Sequence, residues 1–253
     1  MSPLWRERID VALSPHQVTM VRHAGGWRRR AGVRSSSACA GAGWRAALDT
    51  LGDMLAKEKV AGADATLTLS SHWVRFLVLP WNPALLKQNE EIEFARARLV
   101  QVHGESAADW ELRLTGAESG ATQIAAAIER PLLDGIAATC KAADLRTISI
   151  QPRLMSVWNG ARGQIGKDAW VALIEPGRLL LCRVRGGRWE SLRARPLRGN
   201  SVVLGEELDQ ERMLLGLDAD EDEMFVYADP VVRVDSSGIK LKTLGDMSRQ
   251  AAA

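Results

Sequence analysis

Cysteine is scarce in this sequence, and its spacing is irregular. The three cysteines, Cys39, Cys140 and Cys182, form no C-x-x-C pair. A disulfide framework needs an even set of cysteines, and a zinc knuckle needs closely paired ligands, so neither is predicted. Three thiols at such distances are typical of a protein that folds in a reducing compartment.

The sequence also has little net charge and no long apolar run. Lys and Arg total 33 against 31 Asp and Glu, and a net charge of +2 gives no bulk attraction to nucleic acid or to an anionic membrane. A membrane helix needs about 20 mostly apolar residues, whereas the best apolar segment, residues 76–86, is short and contains two prolines. The N-terminal residues lack the apolar core of a signal peptide. We therefore expect a soluble cytoplasmic protein that reaches a membrane only through a partner.

Neither the histidine spacing, nor the serine–histidine pair, nor the carboxylates on predicted strands indicate a catalytic or metal site. The four histidines show no H-x-H or H-x-x-x-H spacing, so no metal site is predicted. Ser71 and His72 adjoin a predicted strand, in which neighbouring side chains point to opposite faces, so they do not form a catalytic pair. A ribonuclease-H-type nuclease needs several carboxylates around two metals, and only Asp10 lies on a suitable predicted strand. We therefore predict that the protein is not an enzyme.

What the sequence does contain is a strand pattern that occurs twice. The first copy has Val11-Ala12-Leu13, Pro15, a β-rich return strand, Gly25-Gly26 and Trp27. The second has Val171-Ala172-Leu173, Pro176, a return strand, Gly186-Gly187 and Trp189. Each copy predicts a hairpin followed by a third strand, which starts near Trp27 in the first copy, while the Gly-, Ala- and Ser-rich residues 31–43 are predicted to be a loop. Each sheet has to bury one face against a helix, and two such units leave a groove between them.

The segment between the copies resembles a known family. Residues 67–80 (LTLSSHWVRFLVLP) are similar to the strand pair ending in Leu-Pro of PilM-type pilus assembly proteins, and a helix in acidic-apolar order, Glu90 to Ala95, follows as it does there. Residues 131–152 are similar to the family's helix, turn and strand. The relatives include the cytoplasmic domain of GspL and the pilus protein MshI. The resemblance covers roughly residues 8–195.

This resemblance implies an α/β fold of the actin-like class. We expect paired ribonuclease-H-like units: a first unit over residues 1–162, with a small α/β subdomain inserted near residues 65–128, and a shortened second unit over residues 163–253. Active members of the actin-like class carry an Asp-x-Gly turn in each half, where the carboxylate organises metal and the glycine lets backbone N–H groups approach phosphate.

The chain departs from that nucleotide-binding pattern in both halves. The first turn keeps Asp10 but has Ala12 in place of glycine. The second has Trp170 and Ala172 at the positions that we align with Asp10 and Ala12. A Gly-Gly adenosine loop is also missing near residues 226–230. We therefore expect a degenerate nucleotide site and no cofactor or metal.

The family resemblance also implies a partner. Its members are inner-membrane platform proteins that bind the cytoplasmic tail of a bitopic membrane protein, so we expect a PilN-like partner and a cytoplasmic position peripheral to the bacterial inner membrane. An assembly ATPase is a further candidate partner, and an oligomer remains open. The tail is expected in a groove bordered by Leu79, Pro80 and Trp81.

Two alternative functions remain open from the sequence. One is a nucleotide-binding regulator of the actin-like class that keeps ATP affinity without the Asp-x-Gly turns. The other is a nucleic-acid-binding module that uses the basic cluster Arg28 to Arg30 beside Trp27, because such proteins combine cations with aromatic side chains. A charged strand edge also accounts for that cluster.

Overall fold

The described residues form two five-stranded sheets, a three-stranded sheet in an inserted subdomain and a two-stranded sheet. A computed structural model of the chain describes residues 6–24, 32–41, 43–58, 60–85, 87–115, 120–218, 223–236 and 238–244. The strands of the first sheet are β1 (Arg8–Leu13), β2 (Gln17–His23), β3 (Val33–Ala38), β4 (Asp64–Leu69) and β8 (Arg146–Pro152). Their spatial order is β3-β2-β1-β4-β8, with β1, β4 and β8 parallel to one another and β2 antiparallel to β1 and β3.

The first sheet buries one face, its outer face, under two helices. These are α1 (Trp44–Glu58) and α3 (Arg130–Ala142), the latter with a proline in its first turn. Proline is favoured there because the first N–H groups of a helix have no intrahelical acceptor. Side chains alternate between the two faces of a strand. Ile9, Val11 and Leu13 of β1 therefore lie in this core, and the even-numbered residues of β1 lie on the opposite, inner face.

The inserted subdomain is a three-stranded antiparallel sheet with a helix on one face. Its strands are β5 (Val74–Leu79), β6 (Glu111–Leu114) and β7 (Gln123–Ile128), in the order β5-β7-β6. Helix α2 (Gln88–His103) packs on it, and a short 3-10 helix, Glu105–Asp109, leads into β6. The subdomain begins later than the predicted position near residue 65, because residues 64–69 pair with β1 and β8 in the first sheet.

The second unit repeats the strand order of the first. Its sheet runs β11-β10-β9-β13-β15, and α5 (Leu204–Leu215) covers its outer face. The strands are β9 (Ala169–Glu175), β10 (Arg178–Arg185), β11 (Arg188–Pro196), β13 (Glu223–Ala228) and β15 (Leu241–Thr243). The described residues between β13 and β15 contain β14 (Arg233–Asp235), which pairs with β12 (Ser201–Val203), and no counterpart of α3. The predicted pair of ribonuclease-H-like units with a shortened second half is confirmed.

Helix α4 (Arg153–Ala161) connects the units and packs on the second of them. Leu154, Val157 and Ala161 belong to the core on the inner face of the second sheet, together with Val171 and Leu173 of β9. The helix follows β8 directly in the chain. It therefore starts at the end of the first sheet and is buried against the second. No helix in the described part of the chain is long and apolar enough to cross a membrane.

The third strand of the first unit is displaced from its predicted position. Residues 33–38, predicted to be part of a loop, form β3, which pairs with β2 from Gln17↔Ala38 to Arg22↔Val33. Cross-strand hydrogen bonding therefore overrides the weak strand preference of a serine-rich segment. The predicted start of this strand at residues 27–30, and the first Gly-Gly pair at residues 25–26, lie outside the described residues.

Candidate functional site

A cavity of about 300 Å³ lies on the inner face of the first sheet, between the two units. Asp10 and Ala12 of β1 line it, as do Thr66 and Thr68 of β4, and Tyr227 of β13 closes it from the second sheet. Its lining also includes Arg8, Val11, Thr19, Val21, Gln151, Arg153 and Ser156. A smaller pocket of about 200 Å³ shares Ala12, Thr19 and Arg153 with it. The predicted first-turn residues are therefore inside the cleft of the fold.

The Asp10 carboxylate is occupied by groups of the protein itself. Arg8 donates from Nη2 to Oδ2 of Asp10 at 2.9 Å, and Nε2 of His23 lies 2.9 Å from the same oxygen. The described residues contain no group of three His, Cys, Asp or Glu side chains that could hold a metal ion. A magnesium nucleotide needs several oxygen ligands and a close backbone approach, and here one engaged carboxylate lies beside the methyl group of Ala12. These residues do not fit that group.

The predicted second half of the site is on the wrong face of its sheet. Trp170 and Ala172 are fully buried in the outer core beneath α5, beside Leu204 and Leu208. The hairpin turns explain the error: Ser14 and Gln17 flank Pro15-His16, while Glu175 and Arg178 flank Pro176-Gly177.

Matching these turns makes Val171 the counterpart of Asp10, and Leu173 the counterpart of Ala12. The alignment of the two Val-Ala-Leu triplets is therefore wrong by one residue. A one-residue slip in a strand moves every side chain to the opposite face of the sheet.

A buried ion pair joins the two units at the edge of the cleft. Nη1 of Arg153, at the start of α4, lies 3.0 Å from Oε1 of Glu175 at the end of β9, and both side chains are at most 3% exposed. The backbone N–H of Ser71 donates to Oε2 of Glu175 at 2.8 Å, and the Ser71 hydroxyl donates to the same oxygen. The loop after β4 is thereby tied to the second sheet.

His72 adds a second tie beside this ion pair. Its Nε2–H donates to the carbonyl oxygen of Pro176 at 2.9 Å, and its ring meets that of His16 edge-on with centroids 6.4 Å apart. Burial is the main cause that lowers the pKa of His72. Ser71 and His72 lie in a turn and not in a strand, so the prediction that they point to opposite faces is wrong: both contact the second unit. Neither of them was predicted to join the units, because their partners are distant in the sequence.

The predicted partner site divides into a buried and an exposed part. Leu79 is 6% exposed and packs in the core of the inserted subdomain, so it does not border a groove with its side chain. Pro80 is exposed, and Trp81 is 46% exposed although it is a large apolar side chain. Of the three residues, Pro80 and Trp81 remain available to a partner. The alternative basic cluster, Arg28 to Arg30, lies outside the described residues.

Comparisons with known proteins give a likeness of fold and none of sequence. No protein-family model matches this sequence, and no curated protein is detectably similar to it. The cytoplasmic domain of EpsL, an inner-membrane component of the type II secretion system of Vibrio cholerae, is similar in structure with a TM-score of 0.57. The likeness covers 97% of this chain and 92% of that one at 13% identity.

Two further solved structures share the architecture. The PilM–PilN type IV pilus biogenesis complex matches with a TM-score of 0.66 at 12% identity, over 97% of this chain and 90% of that one. A protein of Bacteroides thetaiotaomicron with an actin-like ATPase fold matches with a TM-score of 0.60 at 9% identity, over 89% of this chain and 84% of that one. The chain therefore has the actin-like fold, which agrees with the resemblance that its sequence shows.

Proposed function

We propose, from the actin-like fold that spans nearly the whole chain, that this protein is a non-catalytic cytoplasmic adaptor. In this proposal it serves the inner-membrane assembly platform of a type IV pilus or a type II secretion system. It binds there the cytoplasmic tail of a bitopic, PilN-like membrane protein. The observation that carries the proposal is the match, over 97% of the chain, to the EpsL cytoplasmic domain and to the PilM–PilN complex.

The lack of catalysis in this proposal rests on the cleft. Asp10 is engaged by Arg8 and His23, and the second sheet presents Val171 and Leu173 where a second carboxylate-glycine turn would be needed. Without two such turns, a triphosphate has neither its metal organiser nor its close-approach backbone. A nucleotide-binding regulator is the second candidate function, because a cavity of about 300 Å³ persists at this position.

Trp81 is the residue we assign to the tail. It follows the end of β5 and is 46% exposed, and large aromatic side chains in such positions are frequent anchors in protein interfaces. Extended segments bind well beside strands, because backbone pairing supplies affinity while alternate side chains fill pockets.

Substitution of Trp81 tests the proposal. In calorimetric titration with the tail of a bitopic protein encoded near its gene, Trp81→Ala should weaken binding by about 1–3 kcal/mol. The matched control is Met213→Ala, which removes a side chain that is 82% exposed in the second unit and should leave the affinity unchanged. Circular dichroism melts should show the fold of both variants intact. An early melt of Trp81→Ala, or an unchanged affinity, removes Trp81 from the site, and absence of any binding by the unmodified protein contradicts the adaptor function.

A further inference from the structure

Two arginines that have no carboxylate within ion-pair distance in the described part of the chain lie where the inserted subdomain adjoins the second unit. Arg178 begins β10, opposite Glu175 of β9 and Pro196 of β11. Arg75 is the second residue of β5, a strand that lies alongside β11 although the two belong to different sheets. We call this pair of guanidinium groups the basic junction.

The acid next to the basic junction is already engaged. Oε1 of Glu175 faces Arg153, and Oε2 accepts hydrogen bonds from the backbone and side chain of Ser71. Nη1 of Arg75 donates to the carbonyl oxygens of His72, at 2.8 Å, and Val74, at 3.5 Å. Carbonyl oxygens carry only partial charges, so these bonds orient Arg75 without neutralising it.

Arg178 is less well satisfied than Arg75. Its Nε is buried and has no hydrogen-bond partner among the residues that the structure describes. Burial lowers the pKa of Arg178, and the positive charge of Arg75 lowers it further, against a smaller opposing effect of Glu175. Two other arginines on the same sheet, Arg193 and Arg195, do have a carboxylate partner, since both contact Glu211. Arg178 therefore differs from these two arginines in the described part of its sheet.

We propose that the basic junction binds an acidic, extended segment of a partner protein. Both arginines are partly exposed, and the planar fork of a guanidinium group matches the two oxygens of a carboxylate. The site offers two half-buried cations, a number that one or two Glu or Asp side chains can neutralise. A nucleic acid or a membrane surface needs a broader stripe of exposed cations. This surface is separate from Trp81 and does not depend on the proposed function.

Model peptides test this site without knowledge of the natural partner. A fluorescent peptide of alternating valine and glutamate should bind the full chain at low ionic strength, whereas the valine–glutamine peptide should not. Arg75→Glu and Arg178→Glu should each weaken binding roughly tenfold or more. Arg45→Glu is the matched control, because it makes the same change of charge at an exposed position of α1, on the outer face of the first sheet, and should leave the affinity unchanged.

Charge reversal makes the test decisive. The variant with both Arg75→Glu and Arg178→Glu should bind a valine–lysine peptide that the unmodified protein ignores. If Arg178→Glu does not fold, Arg75→Gln and Arg178→Gln provide the same comparison with a smaller expected loss. Equal binding by all variants, a loss in Arg45→Glu as large as in the others, or Arg178-dependent binding to anionic vesicles or single-stranded DNA in place of the glutamate peptide would overturn the proposal.

Discussion

The inner faces of the two sheets differ sharply although the sheets share one strand order. The first sheet presents Asp10, Thr66 and Thr68 to the cleft, whereas the second presents Val171 and Leu173 to helix α4. The comparison shows that the polar side chains of the cleft come mainly from the first unit, while an apolar core occupies the corresponding face of the second.

We expect the largest loss of stability from a substitution that places a polar group on the inner face of the second sheet, as on that of the first. Val171→Asp places a carboxylate at a position that is 1% exposed and surrounded by apolar side chains, and an unpaired buried charge should lower the free energy of unfolding by about 4–5 kcal/mol. The reverse change, Asp10→Val, breaks two partly exposed polar contacts and should cost no more than about 1 kcal/mol.

Urea denaturation followed by circular dichroism measures both variants. Equal losses of unfolding free energy in the two variants would contradict the difference between the faces, because both inner faces would then tolerate polar groups to the same extent.

The ion pair between the units should give the next largest effect. Arg153→Ala leaves Glu175 buried with Ser71 as its remaining partner, and the free energy of unfolding should fall by about 3 kcal/mol. The double variant Arg153→Met with Glu175→Leu removes both charges and should recover most of this loss, because a buried ion pair is stabilising mainly against the removal of one partner. A double variant that is less stable than Arg153→Ala would show that hydrogen bonds to Ser71, and not the charge pair, dominate this contact.

A smaller effect should appear as a pH dependence. Since the pKa of His72 is lowered in the folded protein, the unfolded chain binds more protons near the ordinary histidine pKa of about 6.5. Stability should therefore be complete above that pH and fall as the pH drops below it. The groups facing His72 are Glu175, whose charge favours protonation, and Arg178 and His16, whose charges oppose it.

Thermal unfolding measured at a series of pH values isolates the contribution of His72 to stability. His72→Gln should flatten the decline, whereas His103→Gln should leave the part due to His72 in place, although burial also lowers the pKa of His103. An unchanged decline in His72→Gln would assign the pH dependence to other groups.

The smallest expected effect is the response to ATP. A ligand present at 100 times its dissociation constant stabilises a protein by about 2.7 kcal/mol, so binding at the cleft would be visible as a thermal shift. We expect no shift with ATP and magnesium, no hydrolysis, and no difference between the unmodified protein and Asp10→Ala. A shift that Asp10→Ala abolishes would favour the nucleotide-binding regulator over the adaptor.

The parts of the fold that were predictable are those with local signals. The β-rich runs on either side of Pro15 and Pro176 predicted the hairpins that contain β1 and β9, and the resemblance of residues 131–152 predicted α3 and β8, because these patterns act within a few residues. The register between the two halves was missed, since the Val-Ala-Leu triplets match in letters while the turns at Pro15 and Pro176 fix the actual faces.

The contacts between the units had no signal in the sequence. Ser71 and Glu175 are 104 residues apart, and nothing near either residue indicates the other. The burial of Leu79 was likewise not predicted. A leucine at the end of a strand has the same sequence context whether its side chain borders a groove or packs in a core.

The direct passage from β8 into α4 has a mechanical consequence. Pro152 ends the strand and Arg153 begins the helix, so no flexible linker separates the edge of the first sheet from a rod embedded in the second unit. A rotation of one unit against the other cannot pivot at that point without breaking β8 from β4 or lifting α4 out of its core. Residues 162–168 connect α4 to β9, and both of these elements belong to one core in the second unit, so bending there would not move the first unit. Any opening of the cleft therefore has to separate β8 from β4 or lift α4 out of its core.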